Sequence, residues 1–378
     1  MILYTIIAAL TIVLACQVRT ISYDEVSRSR GRVVNGILLA AIFTILTGLA
    51  ALRLGVGNDY GTYVVTCHEI FVRGYVVTEP GYNLVVRLLY ALSGKEDYLL
   101  MFAVFAAAII AVFLKAMRDQ SESFGLTFFL FMTLGIYFRS FNTVRYYFVL
   151  ALAIYSLKYI TDEINWQNIA KFLIIIVFAS FFHKSVLVVI PMYLIARLKW
   201  NKWIIGLIAV GGAAVLVFNK QFMELALRLY PSYKNTEYVE EVHSIFENAP
   251  IIIRCVLVMA LCIYCYKESI EEHTDNRTYM NMNVMAIILY VCCYWLPLVT
   301  RFGYYLITVQ ILLVPNVIMS VKNPDKRKRL IFLVLLIGIM YFVYFLMTAT
   351  SDGVRVLPYK SWVFSDQQWL DQRNLSSK

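Results

Sequence analysis

A chain of 378 residues that is 61% hydrophobic and only 15% charged is excluded from being one soluble domain, because no globule of this size hides so much apolar surface. The apolar residues fall in long runs rather than alternating, which excludes a β-barrel and predicts an all-α, polytopic integral membrane protein. In such a chain the net charge of +10 is a matter of topology, not of a nucleic-acid-binding face.

The runs predict about twelve spans, near 2–18, 33–54, 98–115, 124–138, 146–160, 165–182, 183–198, 203–218, 251–266, 280–299, 302–320 and 329–348. The first lacks the basic start and small-residue exit of a signal peptide, so it reads as a retained span. Residues 1–348 are expected to form a single membrane domain with outer loops at 55–97 and 219–250, followed by an extracytoplasmic tail, 349–378. Arginine and lysine recur in alternate short loops, at Arg19/Arg28/Arg30/Arg32, Lys115/Arg118, Lys158/Lys171, Arg197/Lys199/Lys202, Lys267/Arg277 and Lys322–Arg329. The positive-inside rule puts those loops in the cytoplasm and both termini outside. Six of the seven cysteines lie in or at the ends of spans, where they serve as small hydrophobes rather than a disulfide framework.

Five stretches, in chain order, carry polar groups where the runs lead one to expect none. In GVGNDYGTYVVTCHEI (55–70), Asp59 sits in a Gly/Asn turn beside Tyr60 and Tyr63, a carboxylate suited to be a base or a sugar ligand. In TEPGYNLVVRLLYAL (78–92), a Pro80-Gly81 turn opens a short apolar helix, with Glu79 and Tyr82 as candidate sugar contacts. In YFRSFNTVRYY (137–147), Arg139, Asn142 and Arg145 occupy an outer turn that should be poor in arginine. In FFHKSVLVVIP (181–191), His183 and Lys184 occupy the tip of a hairpin pointing outward. Its arms of about 16–18 residues reach roughly 24–27 Å. The hydrocarbon core is about 30 Å thick, so charge at that tip needs a partner or water. In LPLVTRFGYYL (296–306), Arg301 lies between Pro297 and Gly303, which predict a kinked helix.

Four cations on one face, Arg139, Arg145, Lys184 and Arg301, suggest an anion site, since the guanidinium fork matches phosphate oxygens. Snorkelling to lipid headgroups is the competing explanation for each. His183, with an ordinary pKa of about 6.5, suits a general base, whereas His68, His243 and His273 lie in polar segments and read as solvated. The chain has no Walker A loop, no G-x-G-x-x-G after a strand and no D-x-D, which argues against an ATPase and against a metal-bound sugar nucleotide. A cationic, tyrosine-rich site sunk in the bilayer suits a lipid-linked diphosphate.

The motifs GNDYGTY (57–63), EPGY (79–82), FNTVRYYFVLALA with Asn142 and Arg145, FHKSVLVVIP (182–191), TRFGYYL (300–306) with Pro315 downstream, and LPYK (357–360) occur in an order that resembles the EpsG-like branch of the Wzy-type polysaccharide polymerases. One departure is Tyr146, where the arginine of such proteins is often followed by glutamine. The resemblance implies an all-α fold akin to the integral-membrane GT-C-like glycosyltransferases. The implied reaction joins undecaprenyl-diphosphate-linked oligosaccharide repeat units on the outer face of the bacterial cytoplasmic (inner) membrane. No metal or cofactor is expected, and a flippase and a chain-length regulator are possible partners. Under that resemblance Arg139, Arg145, Lys184 and Arg301 hold the diphosphate, His183 or Asp59 takes the acceptor proton, and Tyr60, Glu79, Tyr82 and Asn142 orient sugars. The rival readings are an O-antigen-type ligase, a transferase using polyprenyl-phosphate sugars, a polysaccharide flippase or exporter, and a membrane acyltransferase.

Overall fold

The computed structural model describes residues 1–18, 25–161, 165–229, 244–296, 299–351 and 354–364. Arg19, His243, Pro297 and the tail beyond 364 lie outside the described residues, so the kink predicted at Pro297 does too. The described chain is helical, with a single isolated bridge, Arg53 to Ser361, as its β-type pairing.

The twelve apolar runs are helical over most of their described length, but five described helices are long and apolar enough to cross a membrane unaided. These are Gly31–Ala51, Tyr98–Gln120, Ile245–Tyr264, Val299–Met319 and Pro324–Thr348, with a sixth if Lys202–Val217 and Asn219–Leu225, bent by 88°, count as one. The predicted count of about twelve is therefore not matched by length. Backbone breaks that hydropathy does not register shorten the other runs. One run breaks at Leu134-Gly135, where Gly135 adopts φ 73°, and another begins as the 3-10 turn Lys184–Val188. Helices such as Ile2–Cys16 and Trp166–Ser180 have 15 residues each, about 22 Å at 1.5 Å per residue. Exposed apolar side chains line the helices, including Ile2, Ile6 and Val13 on the first and Phe332, Met340 and Met347 on the last. Such surfaces are stable against lipid and costly against water.

The chain divides into two compact units. The first comprises Met1–Tyr155, Ile174–Val186 and Asp325–Lys378. Its helices include α1 (Ile2–Cys16), α2 (Glu25–Ala51), α3 (Tyr60–Arg73), α4 (Pro80–Ser93), α5 (Tyr98–Gln120), α6 (Phe124–Thr133), α7 (Ile136–Arg139), α8 (Val144–Ser156) and, near the C-terminal end, Pro324–Thr348. α1 packs on α6, and α2 on α5. The predicted loop 55–97 is mostly the two short helices α3 and α4. Each buries a tyrosine-bearing stripe (Tyr60, Tyr63, Cys67 and Ile70; Tyr82, Val86 and Tyr90) and ends on a left-handed glycine, Gly74 or Gly94. Pro80 occupies the first turn of α4, where its missing N–H costs nothing. Asp97 caps α5 by accepting from the Leu100 N–H at 2.9 Å.

The chain after Thr348 returns along the C-terminal end of α2. Leu54 N–H donates to Lys360 O at 2.9 Å, Gly57 N–H to Arg355 O at 2.9 Å, and Trp362 N–H to Leu52 O at 3.1 Å. The Tyr359 hydroxyl donates to Leu49 O at 3.0 Å. The LPYK motif thus clamps the loop that leads into α3.

The second unit comprises Ser156–Leu173 and Leu187–Pro324. The helix Thr274–Cys292 is its hub, packing on Val189–Arg197, Ala249–Tyr264, Val299–Ile307 and Gln310–Met319. Buried amides join these helices. Asn283 Nδ2 donates to Cys255 O at 2.9 Å, Gln310 Nε2 to Asn283 Oδ1 at 2.7 Å, and Asn281 Nδ2 to Ala196 O at 2.8 Å. In an apolar surrounding such bonds are a main source of helix–helix cohesion.

Candidate functional site

Two glycines bring four of the sequence motifs together in the first unit. Gly57 has φ 105°, outside the range of side-chain-bearing residues, and a Cβ there would lie 2.4 Å from the Phe141 carbonyl oxygen. This close approach seats the GNDY turn on the FNTVR turn, so that Asp59 N–H donates to Asn142 Oδ1 at 3.0 Å. Gly81 does the same for the next pair. Its N–H donates to Phe181 O at 2.8 Å, and a Cβ would stand 2.7 Å from that oxygen. EPGY is thereby held against the FFHK turn. Gly81→Ala is expected to cost about 1–3 kcal/mol by overpacking. Gly61→Ala, with nothing within 4 Å of its Cβ, should cost nothing. Thermal unfolding of both variants in nanodiscs checks this, and equal midpoints would refute it.

Arg145 lies in the first turn of α8, with its side chain 25% exposed. Its Nη1 donates to Glu79 Oε2 at 2.5 Å and to the Thr78 hydroxyl, while Thr78 Oγ1 donates to the same Glu79 oxygen at 2.9 Å. The guanidinium carbon stands 5.1 Å from the Tyr82 ring centre and 5.7 Å from that of Tyr63, within cation–π range. The Tyr63 hydroxyl accepts from Arg145 N–H at 3.2 Å. A cation in the first turn opposes the helix dipole, which the Glu79 carboxylate offsets. Arg145 Nε is buried without a hydrogen-bond partner. Glu79 is 16% exposed. Burial pushes its pKa up, but Arg145, then His183 and the Thr78 hydroxyl, more than offset this and hold it below the ordinary carboxylate value.

His183 follows the helix Trp166–Ser180 in a turn closed by its own N–H on Ala179 O at 3.2 Å. Its Nδ1 accepts from Ser185 N–H at 3.3 Å, and the Ser185 hydroxyl lies 2.8 Å from the same nitrogen. An accepting Nδ1 places the proton of the neutral ring on Nε2. Tyr146 stands edge-on to the imidazole, with ring centres 5.6 Å apart.

The other sequence-derived candidates are placed as follows. Tyr82 is fully buried, with its hydroxyl 3.4 Å from Cys67 Sγ, and Tyr60 stacks on Phe102 at 4.5 Å. Tyr82, with Tyr63, forms the floor beneath the Arg145 guanidinium, whereas Tyr60 packs on Phe102. Asn142 ties down the Asp59 turn. Arg139 lies 5.2 Å from the Phe345 ring centre, on the helix Pro324–Thr348. Lys184 is exposed on the 3-10 turn. Arg301 sits on the helix Val299–Ile307 of the second unit. Among the described residues no three His, Cys, Asp or Glu side chains gather as a metal site requires.

The sequence reading passed over Arg53, Thr78 and Ser185. Arg53 is 2% exposed, 4.6 Å from the Phe102 ring centre and 5.2 Å from that of Phe141, and its Nη1 donates to Ala50 O. A usable signal existed, since Arg53 ends an apolar run on the side that the positive-inside rule predicts to be outer, and so departs from that rule as Arg139 and Arg145 do.

Residues 36–361 match the family model described as the EpsG family. No curated protein and no solved structure matches the chain.

Proposed function

From the chain's place in the EpsG family, to which it belongs and which is a Wzy-like polysaccharide polymerase family, we propose that it joins undecaprenyl-diphosphate-linked oligosaccharide repeat units on the outer face of the bacterial cytoplasmic membrane. The observation that carries this reading is the Arg145–Glu79 pair. It is assembled from the EPGY and FNTVR motifs over a tyrosine floor, beside His183. Arg145 keeps donors that Glu79 does not use, and these suit phosphate oxygens. Arg139 and Lys184 are the further cations of the first unit proposed for the diphosphate, and Arg301 is proposed for it from the sequence motif alone. Tyr60, Glu79, Tyr82 and Asn142 are proposed to orient sugars, Tyr82 from beneath the guanidinium, with Asp59 and Asn142 joined on the neighbouring turn.

In the proposed reaction, the hydroxyl of one lipid-linked unit attacks the anomeric carbon of the growing chain. The bond from that carbon to the diphosphate oxygen breaks, and the lipid diphosphate leaves with the electron pair. Arginine donors stabilise the charge that develops on the leaving oxygen. The acceptor proton passes to a base of the cluster.

The purified protein in nanodiscs, given an undecaprenyl-diphosphate repeat unit from its own gene cluster, is expected to make a ladder of products. A single addition would point instead to a ligase or single-sugar transferase. No product, with movement of the unit across the bilayer, would point to an exporter.

A further inference from the structure

Asp59, His183 and Glu79 are the candidate bases; Asp59 lies on the turn tied to Asn142, while His183 and Glu79 act on each other beside Arg145, in surroundings that differ. His183 Nδ1 already accepts from the Ser185 backbone N–H, so the neutral ring presents Nε2–H, a donor. It is suited to give a hydrogen bond, not to receive a proton there. Glu79 is arranged the other way. Its Oε2 takes both the Arg145 and the Thr78 bonds, while Oε1 accepts from no other residue among the described ones and is not sealed from solvent. The carboxylate is thus oriented by one oxygen and presents the other.

Arg145 mirrors this division. Nη1 is spent on Glu79 and Thr78, and Nε is buried with nothing to donate to. A buried donor left unpaired is costly, so a guanidinium that turned on binding to share it with a phosphate oxygen would relieve that cost. The pair therefore joins a carboxylate held by one oxygen to a partly exposed guanidinium with donor capacity to spare. The position is fixed by Gly81 on the Phe181 carbonyl and by Asn83, which exchanges bonds with Val76 N–H and O at 3.0 Å each and so holds the turn before Glu79.

We propose that Glu79 is the catalytic base: Oε1 accepts the proton of the acceptor sugar hydroxyl as that oxygen bonds to the anomeric carbon, while the partly exposed Arg145 guanidinium holds the departing diphosphate. This deepens the polymerase reading and rests on it. The proton goes to Oε1 and the electron pair of the broken carbon–oxygen bond goes to the diphosphate, so no oxidant or metal is needed for balance. The charged groups facing Glu79 are Arg145 from α8 and His183 from the turn after Ser180. When an anionic diphosphate engages Arg145, the carboxylate loses part of its stabilisation and becomes a stronger base at the moment it is used.

The test compares Glu79→Gln, Glu79→Asp and Arg145→Ala in nanodiscs. Binding of undecaprenyl diphosphate is measured separately from ladder formation with the lipid-linked repeat unit. Glutamine can still accept from Arg145, so a merely structural Glu79 would be replaced with little loss. The expected result is that Glu79→Gln binds undecaprenyl diphosphate within about threefold of wild type, while elongation falls about 10²–10⁴-fold. The fall in wild-type rate at acid pH should disappear from the residual activity, and Glu79→Asp should restore part of the rate. A Glu79→Gln variant that elongates at the wild-type rate, or that loses diphosphate binding as completely as Arg145→Ala, overturns the proposal. A wild type that binds undecaprenyl diphosphate yet makes no product overturns the polymerase reading itself, and is told apart because the failure then does not depend on residue 79.

Discussion

Arg145→Ala is expected to abolish chain growth, lowering the elongation rate at least about 10³-fold. Two losses combine. Removing a preorganised donor to a developing anion costs about 10²–10³ in rate. Leaving Glu79 partly buried with only Thr78 as partner also destabilises the turn, since breaking a buried ion pair from one side costs about 3–5 kcal/mol. That pair is partly exposed, which puts the cost at the low end. Arg145→Lys keeps the charge but replaces the fork by a single point and loses the stacking on Tyr63 and Tyr82, so a loss of at least tenfold is expected. The double variant Arg145→Met/Glu79→Leu separates fold from chemistry, because removing both partners relieves the unpaired carboxylate. It should recover the thermal midpoint that Arg145→Ala loses and remain inactive. Ladder rates and thermal unfolding in nanodiscs decide the matter. An Arg145→Ala protein elongating within tenfold of wild type would remove this arginine from the site.

Gly57→Ala has the second largest expected effect, and its cause is steric. A Cβ at this position meets Phe141 O at 2.4 Å and Asn142 Cα at 3.1 Å, and both are backbone atoms that no rotamer change can move aside. The φ of 105° adds strain for any side-chain-bearing residue. Together these should cost about 2–5 kcal/mol, a large part of the stability of an ordinary domain. Gly55→Ala is the matched control, with φ 64° but nothing within 4 Å, and should cost only about 1 kcal/mol. If the two variants unfold at the same temperature, the contact between the GNDY and FNTVR turns is not what requires glycine at 57. If Gly57→Ala folds after all, its elongation rate should still fall, because the Asp59–Asn142 bond depends on that contact.

The membrane class and the helical content of this chain are local properties, and the sequence by itself determined them. An apolar run declares its environment residue by residue, and 1.5 Å of rise per residue converts its length to a reach. The motif order likewise pointed to the family before any geometry was known, and Gly81 with Pro80 announced a turn. The number of unaided crossings was not legible. Hydropathy averages over about twenty residues and passes through the break at Gly135 and the 3-10 turn at Lys184–Val188 without notice. Nor was the pairing within the site. Glu79 meets Arg145 across 66 residues of sequence, and Asp59 meets Asn142 across 83. Such contacts depend on the path of the chain between them, which no local pattern encodes. Tertiary structure alone paired Glu79 with Arg145 and put Tyr82 beneath the guanidinium. It also buried Arg53 among aromatic rings. The physical reason is the same in each case: a polar group in an apolar surrounding must find its partner wherever the fold brings one, and the strength of that demand, not proximity in sequence, decides which residues meet.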